Sequence, residues 1–209
     1  MARLFAFFVL VIIVLAAMYT FKFSKDFGAH SEKANVEENL TTFDFQDWHE
    51  FTAPNNAFKV LMPSLPQHAT ENIKDKNTGE SRKYEMYFSE KADGSIFMIS
   101  VIGFSAPLIK GEKEVFLRTM MNDAIESNPN NKLLKVESGK YKEYDSLDYS
   151  LENTETHIDT KTFFVNDTLY ALTRLVKMQN HNAKEFDFFI NSFDLSSGNT
   201  KSTQGKTTK

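Results

Sequence analysis

The segment Ile96-Phe97-Met98-Ile99-Ser100-Val101-Ile102-Gly103-Phe104 decides how the rest of the chain must be arranged. In an extended strand, successive side chains point to opposite faces. Ile96, Met98 and Ile102 therefore share one face and Phe97, Ile99 and Val101 the other, and both faces are apolar. Such a strand belongs in the middle of a sheet that is covered on both sides. Ala92-Asp93-Gly94 just before it is a hairpin signal. Upstream, Tyr84, Met86 and Phe88 alternate with Lys83, Glu85 and Ser89, which predicts a partner strand with one wet face.

Two amphipathic segments supply the cover. Leu117, Met120, Met121, Ala124 and Ile125 stand at i, i+3, i+4, i+7 and i+8, one stripe of a helix. Glu112 and Glu114 suit its positive N-terminal end, and Asn128-Pro129-Asn130 stops it. Phe186, Phe189, Ile190 and Phe193 mark a second helix, with Asn182 as candidate N-cap and Glu185 three residues on, the spacing of a capping box.

Between and before these helices the pattern has period two. Strands are expected at Trp48–Phe51 and Ala57–Met62 around the turn pair Asn55-Asn56. A third runs from His68 to Ile73, closed by Asn77-Thr78-Gly79. After the first helix come Leu133 to Glu137 running towards Tyr141, then Tyr144–Leu151 and His157–Val165. Asn166-Asp167 turns the chain into Leu169–Met178. The expectation is an α+β domain over residues 43–195: one mainly antiparallel sheet, sheathed by two helices.

The flanks differ in character. Leu4–Tyr19 (LFAFFVLVIIVLAAMY) is an uncharged apolar run of sixteen residues, extended by Thr20 and Phe21 before Lys22 and Lys25. A bilayer core takes roughly 20 apolar residues, so residues 1–21 are predicted to be a transmembrane signal anchor or a signal peptide. The domain is then expected outside the cytoplasm, on the periplasmic side of an inner membrane, or secreted after cleavage. Residues 22–42 are polar and predict a stalk. Residues 196–209 (SSGNTKSTQGKTTK) contain no large apolar side chain and predict a disordered tail.

Composition narrows the function classes. A net charge of -4 without basic clusters argues against nucleic acid. No Cys occurs, which excludes disulfides, thiolate metal sites and a cysteine nucleophile. No Gly-rich phosphate loop, G-x-S-x-G or H-E-x-x-H is present, so no catalytic, cofactor-binding or metal residues are assigned.

Trp48–Pro66 (WHEFTAPNNAFKVLMPSLP) sets an aromatic strand, a turn and a Phe-x-Val-x-Met-Pro strand in sequence. The domain closes on Phe189-Ile190-Asn191-Ser192-Phe193-Asp194-Leu195. Opening and closing segments of this kind, around this strand–helix order, resemble the Mog1/PsbP-like superfamily, in particular its bacterial envelope members. The resemblance implies an α/β/α sandwich around an antiparallel sheet, and a binding or assembly role with no catalytic motif. The apolar N-terminal segment departs from cytosolic or nuclear Mog1, which argues against a GTPase partner. The expected partner is another envelope protein.

Some residues invite sharper readings. His157 and Asp159 lie at i, i+2 on one strand and could face a single ion, but no third ligand is visible; solvated strand residues are the plainer expectation. His49 beside Glu50 is read the same way. Phe43, Phe45 and Trp48 form either a docking patch or part of the core, and the core reading is preferred. The sequons at Asn39 and Asn166 are ascribed to chance. The expected function is that of a non-enzymatic binding or assembly module; the alternative is a small-ligand or metal-binding domain with hydrolytic activity.

Overall fold

Ile96–Phe104 is indeed an interior strand. The computed structural model describes Phe45 and residues 47–74 and 81–195. The segments read as anchor (1–21), stalk (22–42) and tail (196–209), the turn Asn77-Thr78-Gly79 and Phe43 lie outside the described residues. No described helix is long and apolar enough to cross a membrane. The strands are β1 (His49–Thr52), β2 (Phe58–Met62), β3 (Gln67–Lys74), β4 (Ser81–Glu90), β5 (Ile96–Phe104), β6 (Lys132–Tyr141), β7 (Tyr144–Glu152), β8 (Thr156–Val165), β9 (Thr168–Lys177) and β10 (Asp194–Leu195). Helix α1 (Lys110–Glu126) joins β5 to β6, and α2 (Ala183–Ser192) precedes β10.

The expectation of one sheet is corrected to two. Seven strands pair antiparallel in the order β3-β4-β5-β9-β8-β7-β6, while β1, β2 and β10 form a separate three-stranded sheet with β2 in the middle. Segments from the start and the end of the domain thus meet, with Phe58 of β2 opposite Leu195 of β10. This pairing joins distant stretches of chain, which no local periodicity can announce.

The two faces of β5 bury different layers. Ile102 joins Leu117, Met120, Met121 and Ala124 of α1, together with Leu147, Leu151 and Leu169. Phe97, Ile99 and Val101 join an aromatic layer made with α2 and the small sheet: Trp48, Phe58, Tyr141, Phe163, Phe189 and Phe193. Helices therefore cover both sides, as the double apolarity demands. Trp48 meets the edge of Phe97 at 4.8 Å and is a core residue, while Phe45, stacked on Phe188 at 3.9 Å, is partly buried against that core.

The wet face expected for β4 is corrected as well. Tyr87 and Ser89 are buried. Phe51 and Phe58, both on the small sheet, pack on Tyr87 with ring centroids 5.4 Å away. The two edges of the large sheet also differ. β3 is polar, whereas β6 exposes Leu133, Leu134 and Val136 beside a bulge that shifts its register on β7.

The end of α2 is pinned to the far side of the sheet. The buried Tyr141 hydroxyl donates to the Phe193 carbonyl. Burial, then the charge of Asp194, pushes the Tyr141 phenol up to about 12. A raised folded-state pKa stabilises the protein below the unfolded value of about 10 and loses that contribution as pH rises through the folded value. Tyr141→Phe should cost about 1–2 kcal/mol at neutral pH by leaving the carbonyl unpaired. It should also reduce the alkaline loss of stability between about pH 10 and 12 by about 3 kcal/mol. Urea unfolding at a series of pH values measures both.

Candidate functional site: a buried ion network under the start of the second helix

Polar side chains inside the aromatic layer gather at one place. Ser150 of β7, Asp159 of β8, Arg174 of β9 and Phe97 of β5 lie in one row across the sheet, because Asp159 pairs in register with both Ser150 and Arg174, and Arg174 with Phe97. Phe97 belongs to the layer under α2, so the whole row faces that helix. Arg174 has no exposed surface at all. A buried guanidinium requires partners on all sides. Its Nη2 donates to Asp159 Oδ2 at 2.6 Å, and its Nη1 donates to the carbonyl of Asn182 and lies 3.6 Å from Glu185 Oε2.

Glu185 carries the network onward. Sequence spacing assigns it to a capping box with Asn182, and half of that holds. The Asn182 side chain accepts from the Lys184 backbone N–H at 2.9 Å. Glu185 instead turns inward, almost fully buried, to accept from Lys91 Nζ. Lys91 sits at the β4–β5 hairpin, 3.3 Å from Asp93 Oδ2. That hairpin is tight because Gly94 adopts φ +85°, and Asp93 Oδ1 accepts from the Ser95 N–H at 2.8 Å. For Lys91, burial would lower the pKa, but the bond and charge of Glu185 and the nearness of Asp93 raise it on balance. Two cations and three carboxylates thus tie the first turn of α2 to β8, β9 and the β4–β5 hairpin.

The histidines complete the cluster. His157 and Asp159 are not solvated, as the sequence led one to expect, but buried, because α2 and its leading turn cover that end of β8. His157 Nε2 and Asp159 Oδ1 are 2.9 Å apart. The 3-10 turn Met178–Asn180 after β9 delivers His181 onto them, its ring centroid 3.8 Å from that of His157 and its Nε2 3.8 Å from Asp159 Oδ2. Burial alone would raise the Asp159 pKa; the hydrogen bonds from His157 and Ser150 and the charge of Arg174 overcome it and hold the carboxyl at about 2. Burial, then His157 and Arg174, lower the pKa of His181, with Asp159 opposing. At neutral pH the site therefore presents an ionised carboxylate beside a neutral His181 ring.

Ser150, His157 and Asp159 have the composition of a hydrolytic triad but not its order. The Ser150 hydroxyl donates to Asp159 Oδ1 at 2.8 Å, the same oxygen that His157 contacts. Activation of a serine requires the imidazole between hydroxyl and acid. His49 is exposed on β1, away from this network.

One cleft, of about 650 Å³, opens between α1 and the β6–β7 hairpin, lined in part by Lys113, Arg118, Glu143 and Tyr144. Its cations face carboxylates, Lys113 with Asp167 at 3.6 Å and Arg118 with Glu114 at 3.4 Å, so the wall has no dominant sign.

No protein-family model and no curated protein matches the chain. Among solved structures, the solution structure of cyanobacterial PsbP (CyanoP) from Synechocystis sp. PCC 6803 matches with 12% identity and a TM-score of 0.44, over 81% of this chain and 99% of that one. A 1.50 Å crystal structure from Bacteroides thetaiotaomicron VPI-5482 matches with 14% identity and a TM-score of 0.35, over 73% of this chain and 50% of that one. A PsbP is thus among the solved chains that this one matches.

Proposed function

We propose that this chain is a membrane-anchored, extracytoplasmic module that binds a segment of a partner envelope protein and performs no chemistry of its own. The observation that carries the reading is the open edge of β6. This strand pairs with β7 on one side, ends the sheet on the other, and exposes Leu133, Leu134 and Val136. Among the described residues no strand pairs with the outer side of this ten-residue edge; such an edge is a template for an added strand, and native proteins normally blunt it with charge or cover. Both edges carry charge, β3 with Glu71 and β6 with Lys132, Lys140 and Lys135, which pairs with Glu137 at 2.9 Å, but β6 sets its charges beside three exposed large apolar side chains. The occupant is an extended apolar-polar segment of another protein. The apolar run Leu4–Tyr19 supports the membrane address. Misordering of Ser150, His157 and Asp159 supports a role without hydrolysis.

A photo-crosslinking residue placed at Leu134 in the full chain, in native membranes, should yield a discrete adduct with one partner. The same probe at Thr70 on β3 serves as the background. Equal labelling from both edges, or none from Leu134, overturns the reading. Removing residues 1–21 should move the chain from the membrane to the soluble fraction.

A further inference from the structure

We propose that His157, Asp159 and His181 form a binding site for one divalent transition-metal ion, held by two imidazole nitrogens and a carboxylate oxygen. One ligand atom from each residue lies within 4.8 Å of the other two. Tetrahedral coordination with bonds of about 2.0–2.1 Å places ligand atoms about 3.4 Å apart. The carboxylate spans the two rings, with 2.9 Å from His157 Nε2 to Asp159 Oδ1 and 3.8 Å from His181 Nε2 to the other oxygen, Oδ2, distances on either side of that value. Mixed imidazole and carboxylate donors suit Zn²⁺ and its neighbours in the first transition row, whereas Ca²⁺ and Mg²⁺ prefer all-oxygen shells.

The surroundings suit the ion in three ways. Ligating carboxylates and imidazoles are normally held by a second set of hydrogen bonds. Here Ser150 and Arg174 fix Asp159. Two ligands come from one rigid strand, and the third from the residue before the α2 cap, whose backbone is tied at His181 N to Met178 O. His181 keeps about a third of its side chain exposed, which leaves an entry path and room for water in an open position. The charge of Arg174 opposes a cation, but Asp159 and Glu185 both face that guanidinium, and Lys91 is matched by Glu185 and Asp93. Asp159, Glu185 and Asp93 thus set three carboxylates against the two fixed cations Arg174 and Lys91.

The test uses the full chain in detergent, stripped with a chelator. Titration with Zn²⁺ alone by calorimetry, and with Co²⁺ by visible absorption, should show one equivalent bound, with Co²⁺ bands of a nitrogen–oxygen site. His181→Ala, at a partly exposed position that leaves the folded core intact, should weaken binding by 10- to 100-fold. His68→Ala, whose ring stacks on Tyr87 at the other end of the sheet, should leave it unchanged. Absence of stoichiometric binding to the folded wild type overturns the proposal. So does wild-type affinity in His181→Ala, or an equal loss in His68→Ala.

Discussion

Replacing Arg174 with alanine is expected to destabilise the domain by about 3–5 kcal/mol, a large part of the 5–15 kcal/mol that holds an ordinary domain folded. The reason is the partners left behind more than the bonds lost. Asp159 would keep a buried charge without its main counter-ion, and the carbonyl of Asn182 would lose its donor at the start of α2. Glu185 would retain Lys91 and suffer less. Arg174→Met with Asp159→Leu removes both charges while keeping volume. That pair should recover much of the loss, giving a coupling of about 1–3 kcal/mol in a double-mutant cycle. Urea unfolding in chelator, followed through the single tryptophan, Trp48, measures each term, since Trp48 is buried against Phe97 and should report loss of the aromatic layer. A single-mutant cost below about 1 kcal/mol would mean that the network is hydrated in solution.

Phe193→Ala should cost a similar amount, about 3–5 kcal/mol. Phe193 ends α2, is fully buried, and has ring neighbours from both sheets: Phe58 at 5.0 Å, Tyr170 at 5.8 Å and Tyr141 and Phe163 at 6.0 Å. Truncation leaves a hole where three layers meet, and none of them can move in without pulling away from another. Phe193→Leu, which keeps most of the volume, should lose less than half as much. If alanine and leucine proved equally mild, the small sheet would have to be held by something other than this ring.

Sequence pattern revealed the parts of this fold that are local. β5 is legible because both its faces are apolar, and α1 because Leu117, Met120, Met121 and Ala124 recur at helical spacing and are all buried. Trp48 is legible as core, since a large aromatic beside a short strand seldom stays wet. What escaped the sequence is set by contacts between distant segments. Tyr87 and Ser89 look like half of a wet face until β10 pairs with β2 and lays the small sheet over them. Glu185 has the spacing of a capping residue, and only Lys91 and Arg174, far away in the chain, explain why it turns inward. His157 and Asp159 were visible as a pair, but His181 belongs to no strand pattern and reaches them through a short turn. A buried arginine flanked by Leu172 and Val176 on the same strand face was the one signal available: a cation amid apolar neighbours needs a carboxylate opposite it.

The meeting of β2 with β10 also sets the order of events when the chain is made. Phe58 is synthesised early, yet Phe189 and Phe193, which share its layer, arrive only at the close of the domain. Contacts so far apart along the polypeptide form slowly. Until the final turn of α2 emerges, Phe58, Phe163 and Tyr170 have no lid, and the nascent product must remain open. A message truncated just before Ala183 would therefore yield all seven strands of the large sheet and still no folded protein, only a sticky intermediate for proteases to remove.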